Sequence, residues 1–173
     1  MAEPTPAMLA NACAGCHGTN GLSVGPTSPI ISGMASEYFV AAMAAYKKGE
    51  WPSTIMGRIA KGYSDEQIKA MGDFFAKQPF VRAAQKNDAA KAKTGAKLHE
   101  EYCEKCHEKG GSAGEDAGVL AGQWMPYLEH AMEDYTSGKR PMTKKMQKQV
   151  DQLVQDHKHA GVEALVNFYG SAK

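Results

Sequence analysis

The stretch "NACAGCHGTNG", residues 11–21, returns as "EYCEKCHEKGG", residues 101–111, so Cys13, Cys16 and His17 meet Cys103, Cys106 and His107 at an offset of 90. Downstream, "IISGMASEYFVAAMAAYKKGE" aligns with "VLAGQWMPYLEHAMEDYTSGK" at an offset of 89, pairing Gly33 with Gly122, Tyr38 with Tyr127, Met43 with Met132, Tyr46 with Tyr135 and Gly49 with Gly138. A methionine loop follows in each copy, "PSTIMGRIAKG" and "RPMTKKMQKQ", and then an aromatic-tipped stretch, "DEQIKAMGDFFAKQ" and "GVEALVNFYGS". A repeat of this length makes each copy a structural unit of its own. The sequence therefore divides into two domains related by internal duplication, 1–84 and 85–173, joined through the polar, Ala/Lys-rich "VRAAQKNDAAKAK" at 81–93.

Each copy reads as helical. "SEYFVAAMAAYKKG" starts at an expected Ser36 cap, stops at Gly49 and carries Phe39, Met43 and Tyr46 at helical spacing. "SDEQIKAMGDFFAKQ" has Ser64 as its cap and acids in its first turn, and Pro79 bars its extension. In the second copy "KTGAKLHEEYCEKC", "MPYLEHAMEDYTSG" and a long closing segment take the same places. No alternating strand pattern competes, so the fold class is all-α.

Charge narrows the function. A net charge of +1 gives no footprint for nucleic acid or an anionic membrane. No apolar run approaches the roughly 20 residues of a spanning helix. The opening "MAEPTP" lacks the basic and apolar regions of a leader and fits a mature N-terminus cut at a small residue.

The four cysteines of the two motifs are all the chain has. Cys-x-x-Cys-His is the attachment signature of c-type haem. Residues three apart share a helix face, so both thiols reach one porphyrin, and the next histidine offers the axial nitrogen that haem iron needs. A zinc site built from two Cys-x-x-Cys pairs leaves both histidines and the long gap unexplained. A thioredoxin-type pair wants a βαβ setting. The motifs thus imply two covalent haems c, held by Cys13 and Cys16 and by Cys103 and Cys106, with His17 and His107 on the irons. A purely electron-carrying haem takes a sixth ligand, and methionine is the usual partner of histidine. Met56, in its uncharged glycine-containing loop, is the candidate in the first copy. In the second, Met142 follows Pro141 at the matching place and Met146 is the alternative. Met34, Met43 and Met71 read as core. His99, His130, His157 and His159 have no counterparts in the other copy and read as surface or capping residues.

Over nearly its whole length the sequence resembles the two-haem cytochrome subunits of the flavocytochrome c sulfide dehydrogenases. The match is carried by "NACAGCHGTNG", "STIMGRIAKGYS", "TGAKLHEEYCEKCH", "LAGQWMPYLEHAM" and "RPMTKKM". The resemblance implies two class I cytochrome c domains in tandem, His/Met ligation at both irons and a periplasmic heterodimer. In it an FAD-bearing subunit oxidises sulfide, and the haem chain, not an enzyme by itself, passes electrons to a soluble cytochrome acceptor. In class I cytochromes a proline carbonyl about a dozen residues past the ligand histidine orients its ring. Pro29 stands there in the first copy and Gly118 in the second, a departure from the pattern. The alternatives are a free-standing dihaem carrier serving an oxidase and a dihaem peroxidase, the latter requiring an open position at the second iron. Arg58 and Lys61 are the only charges near Met56, whereas Lys139, Arg140, Lys144, Lys145 and Lys148 surround Met142. Interface chemistry then places the first haem against the flavin subunit, near "VGPTSPIISGM", and the second against a mobile acidic acceptor.

Overall fold

The computed structural model describes residues 3–113 and 117–173. It divides into two compact units, Met1–Val81 and Arg82–Lys173. Among the described residues there are helices and turns but no strand, and no helix is long and apolar enough to cross a membrane.

In the first unit α1 (Pro6–Asn11) begins with proline in its first turn and the Thr5 hydroxyl accepting from Met8 N–H at 3.3 Å, so donors left bare at a helix start are covered. α2 (Ala14–His17) is a single turn over the first motif. α3 (Ser36–Lys48) ends at Gly49, whose φ of 75° is a left-handed conformation that glycine adopts freely. α4 (Met56–Ala60) is short, and α5 (Asp65–Ala76) starts with a capping box between Ser64 and Gln67. Phe39 and Met43 from α3 pack on Ile68, Met71 and Phe75 from α5, with Ala10 of α1 beside them.

Two local expectations give way here. Ala35, not Ser36, holds the cap position of α3. Ser36 is buried as the first helical residue and its hydroxyl donates to Asp73 Oδ1 at 2.7 Å, tying α3 to α5. Met56 opens α4 rather than lying in a loop.

The second unit repeats the plan with altered parts. α6 (Ala89–Leu98) is capped by Asp88, whose carboxylate accepts from Ala90 and Lys91 N–H. Residues 89–93, read from composition as part of a joint, are therefore helical. A π turn (His99–Cys103) continues α6 into the second motif. Then come α7 (Glu108–Gly111), α8 (Met125–Thr136) and α9 (Lys144–Gly170), the last broken at Lys158, with φ 54° and ψ −150°. Leu98, Tyr102, Leu128, Leu153, Val162, Leu165 and Tyr169 form its core. α6 and α9 cross at Gly95, where a Cβ would stand 2.0 Å from the Ala164 carbonyl oxygen. Lys91 and Glu163 pair across the same crossing at 2.5 Å. The chain joins this unit earlier than composition indicated, because Ala83 N–H donates to the Gly122 carbonyl at 2.7 Å.

The duplication is visible in the backbone bonds. Gly33 N–H donates to the Phe75 carbonyl and Gly122 N–H to the Tyr169 carbonyl, each at 2.8 Å. The loops after the two motifs close alike, with Ile31 N–H on the Gly21 carbonyl and Leu120 N–H on that of Gly111.

Candidate functional site

Each Cys-x-x-Cys-His motif folds as one helical turn. His17 N–H donates to the Cys13 carbonyl and His107 N–H to the Cys103 carbonyl, both at 2.9 Å. Cys13 and Cys103 are half-buried, Cys16 and Cys106 are exposed, and none forms a disulfide. Burial raises the pKa of Cys13, with Cys16 beside it adding to the effect, and burial likewise raises that of Cys103 against a weaker opposing bond from Tyr169. Neither is a ready thiolate. Among the described residues, no three of His, Cys, Asp and Glu converge as a set able to hold a bare metal ion.

The two histidines are held differently. His17 Nδ1–H donates to the Pro29 carbonyl at 2.8 Å, the acceptor that the class I resemblance implies. That leaves Nε2 as the nitrogen free to bind a metal. His107 Nδ1 is buried with no hydrogen-bond partner among the described residues, and the position matching Pro29 is Gly118. Burial lowers the pKa of both rings, opposed at His17 by the Pro29 bond and helped at His107 by the neighbouring His99 ring. Neutral imidazole is the form that ligates iron. These features fit a haem bound through both cysteines of each motif: free thiols three apart, a half-buried imidazole with a lowered pKa after them, and an unpartnered ring nitrogen at His107.

The methionines separate by position. Met56 packs against the first core, as does Met34, while Met43 and Met71 lie within it. Met142 precedes the Thr143 cap of α9 and lines an open groove on that helix with Lys144, Gln147, Lys148 and Asp151. Met146 lies in the first turn of α9, its N–H donating to the Thr143 hydroxyl at 3.2 Å. It shares helical register with Val150 and Leu153, both buried.

Two residues stand elsewhere than sequence reasoning put them. Arg140 is buried, 5% exposed, with its guanidinium 4.6 Å from the Tyr135 ring centroid, so it is not part of a solvated basic surface. His99, read as a surface or capping residue, is 1% exposed, with Tyr169 Oη 2.9 Å from Nδ1 and a Glu104 carboxylate oxygen 2.5 Å from Nε2. His130 and His159 are exposed as expected. The repeat held a signal for this cluster. Leu9, Ala14 and Phe75 match His99, Glu104 and Tyr169, so three polar residues replace small or apolar ones at equivalent places.

Comparison with known proteins agrees with the local geometry. Residues 5–79 match the family model of cytochrome c and residues 90–163 that of the cbb3-type cytochrome c oxidase subunit III. The chain is 44% identical over 68 residues to the cytochrome subunit of sulfide dehydrogenase from Chlorobaculum tepidum, a match covering 39% of this chain and 61% of that one. It thus spans less than two thirds of that relative. Cytochrome c-554(548) of Halomonas halodenitrificans is 30% identical over 69 residues, covering 38% of this chain and 83% of its own length. Reduced recombinant cytochrome c4 from Pseudomonas stutzeri superposes with a TM-score of 0.82 over 99% of this chain and all of its own, at 22% identity, a likeness of fold.

Proposed function

Because the chain belongs to the cytochrome c family, as two class I domains in tandem carrying two c-type haems, we propose that it is the electron-transfer subunit of a periplasmic, flavin-dependent sulfide dehydrogenase. Each bound haem supplies a one-electron couple at its iron. Cys13 and Cys16 would anchor one haem and Cys103 and Cys106 the other. His17 and Met56 would hold the first iron. His107 would hold the second, opposite Met142 or Met146; the register of Met146 with Val150 and Leu153 supports Met146. The Pro29 carbonyl fixes the His17 ring, so that ligand needs little rearrangement when the charge on the iron changes.

One observation carries the choice of partner faces. The large apolar side chains most exposed among the described residues are Val24, Met8, Val81, Ile55 and Ile59, all in the first unit. Val24 is 88% exposed in the loop after the first motif, and Ile55, 45% exposed, adjoins Met56. A permanent interface covers such groups. The second unit instead exposes Lys139, Lys144, Lys145 and Lys148, the surface of a short-lived contact steered by charge. The first domain therefore docks on the FAD-bearing subunit, and the second releases electrons to a soluble acidic cytochrome acceptor. Similarity to the sulfide dehydrogenase cytochrome subunit supports sulfide as the donor substrate.

The test is purification of the native protein under mild conditions. An equimolar flavoprotein that reduces both haems when sulfide is added is the expected result. A red protein free of flavin that sulfide does not reduce would instead establish a free-standing carrier.

A further inference from the structure

Around the second attachment turn the second unit carries three linked polar groups, buried His99 and Tyr169 and half-exposed Glu104, where the first has small or apolar residues. His99, Glu104 and Tyr169 stand where Leu9, Ala14 and Phe75 stand in the other copy. Glu104 lies between the two attachment cysteines. Its carboxylate accepts from His99 Nε2–H at 2.5 Å, Lys109 N–H at 2.9 Å and Gly110 N–H at 3.1 Å. Lys109 and Gly110 both have positive φ, 55° and 67°, so successive N–H groups turn toward the anion as a small nest. The π turn aids this geometry, because Glu104 N–H donates to the His99 carbonyl at 2.8 Å and stacks the two residues five apart. With Nε2–H on the carboxylate, Nδ1 faces the Tyr169 hydroxyl at 2.9 Å, so both ring nitrogens are bonded. The chain of bonds thus runs from the carboxylate through His99 to Tyr169, which lies in the core that Cys103 packs against.

The same unit lacks something the first has. A carbonyl on the far ring nitrogen makes a ligand histidine more basic and favours the oxidised iron. His17 has that carbonyl, and among the described residues His107 has none. A fixed anion beside the attachment turn acts in the same direction, because reduction adds negative charge to the haem. We propose that the His99–Glu104–Tyr169 brace holds down the reduction potential of the second haem, offsetting the acceptor that His107 lacks. The His99 bond, then the Gly110 and Lys109 N–H groups, keep Glu104 below its ordinary pKa of 4.5, so the anion persists at neutral pH. His99 and Tyr169 act through Glu104 and are positioning residues. The step they tune takes up one electron and moves no proton.

The inference rests on a haem being attached at Cys103 and Cys106, which intact mass settles first. A wild-type chain heavier by one haem only would remove that premise and leave the brace without an object. With two haems present, potentiometric titration resolves two one-electron components. Glu104→Gln keeps the size and removes the charge. One component should rise by about a tenfold change in its reduction equilibrium, about 59 mV, and the other should stay. The triple variant His99→Leu, Glu104→Ala, Tyr169→Phe installs the residues of the first copy and should raise the same component. Unmoved potentials, a fall, or equal shifts of both components would overturn the proposal. So would a Glu104→Gln chain that fails to load its second haem, because the brace would then serve folding.

Discussion

Met142 and Met146 stand four residues apart and serve different surroundings. Met142 lines an outer groove on α9, and Met146 follows the helical register of buried Val150 and Leu153. If Met146 is the sixth ligand, Met146→Ala opens the second iron, and the reduced protein binds carbon monoxide at one of its two haems. Met142→Ala then leaves both haems closed and shifts stability by less than about 0.5 kcal/mol, as a surface substitution does. Carbon monoxide difference spectra of the two variants decide it, and binding by Met142→Ala alone assigns the ligand to Met142. Local spacing displayed the paired cysteines, the histidine after each pair and the Pro29 acceptor, because they lie within a dozen residues of chain. Matching the copies favoured Met142 over Met146, but spacing held no sign of the helix start at Thr143 that separates their faces. The burial of His99 escaped for another reason. Its partner Tyr169 lies 70 residues away, and a lone histidine reads as surface until both copies are compared position by position.

At the level of elements, the crossing of α6 and α9 depends on the missing side chain of Gly95. A methyl there would lie 2.0 Å from the Ala164 carbonyl oxygen and 2.7 Å from Phe168 Cβ, and backbone cannot yield as a flexible side chain can. Gly95→Ala should destabilise the second unit by about 1–3 kcal/mol, lowering its melting temperature by about 4–8 °C for each kcal/mol. Gly15→Ala is the control, because nothing lies within 4 Å of its added methyl. Circular dichroism melts of both variants test the pair, and equal melting would contradict the tight crossing. Helix starts were legible where local chemistry sets them. "SDEQ" announced the Ser64 capping box, which is present. Ser36 looked equally like a cap, but its hydroxyl serves Asp73, 37 residues onward. The break in α9 was invisible because "DHKHA" contains neither glycine nor proline. Lys158 takes a backbone conformation that costs about 1–3 kcal/mol, set by the packing on either side of it.

Across the whole molecule the two copies differ most in their surfaces. Exposed aliphatic groups gather on the first unit and lysines around the methionine loop of the second. Lys144→Glu together with Lys145→Glu should slow electron exit to an acidic acceptor several-fold and flatten its dependence on ionic strength. The flavoprotein should remain bound. Stopped-flow rates at two salt concentrations, with gel filtration, check both halves of that statement, and loss of the flavoprotein with normal exit would reverse the assignment of faces. Burial of Arg140 removes one charge from the basic set that sequence suggested.

The carbonyl of Phe75 that latches the first unit and the carbonyl of Tyr169 that latches the second lie on opposite sides of the boundary at residue 82. Everything that closes the first unit is therefore made before any of the second begins. The second must hold α6 open until Ala164 and Tyr169 arrive from the far end of α9. During synthesis the first copy can finish folding while its successor still waits for a partner, so two copies of one design mature in a fixed order written by the direction of translation.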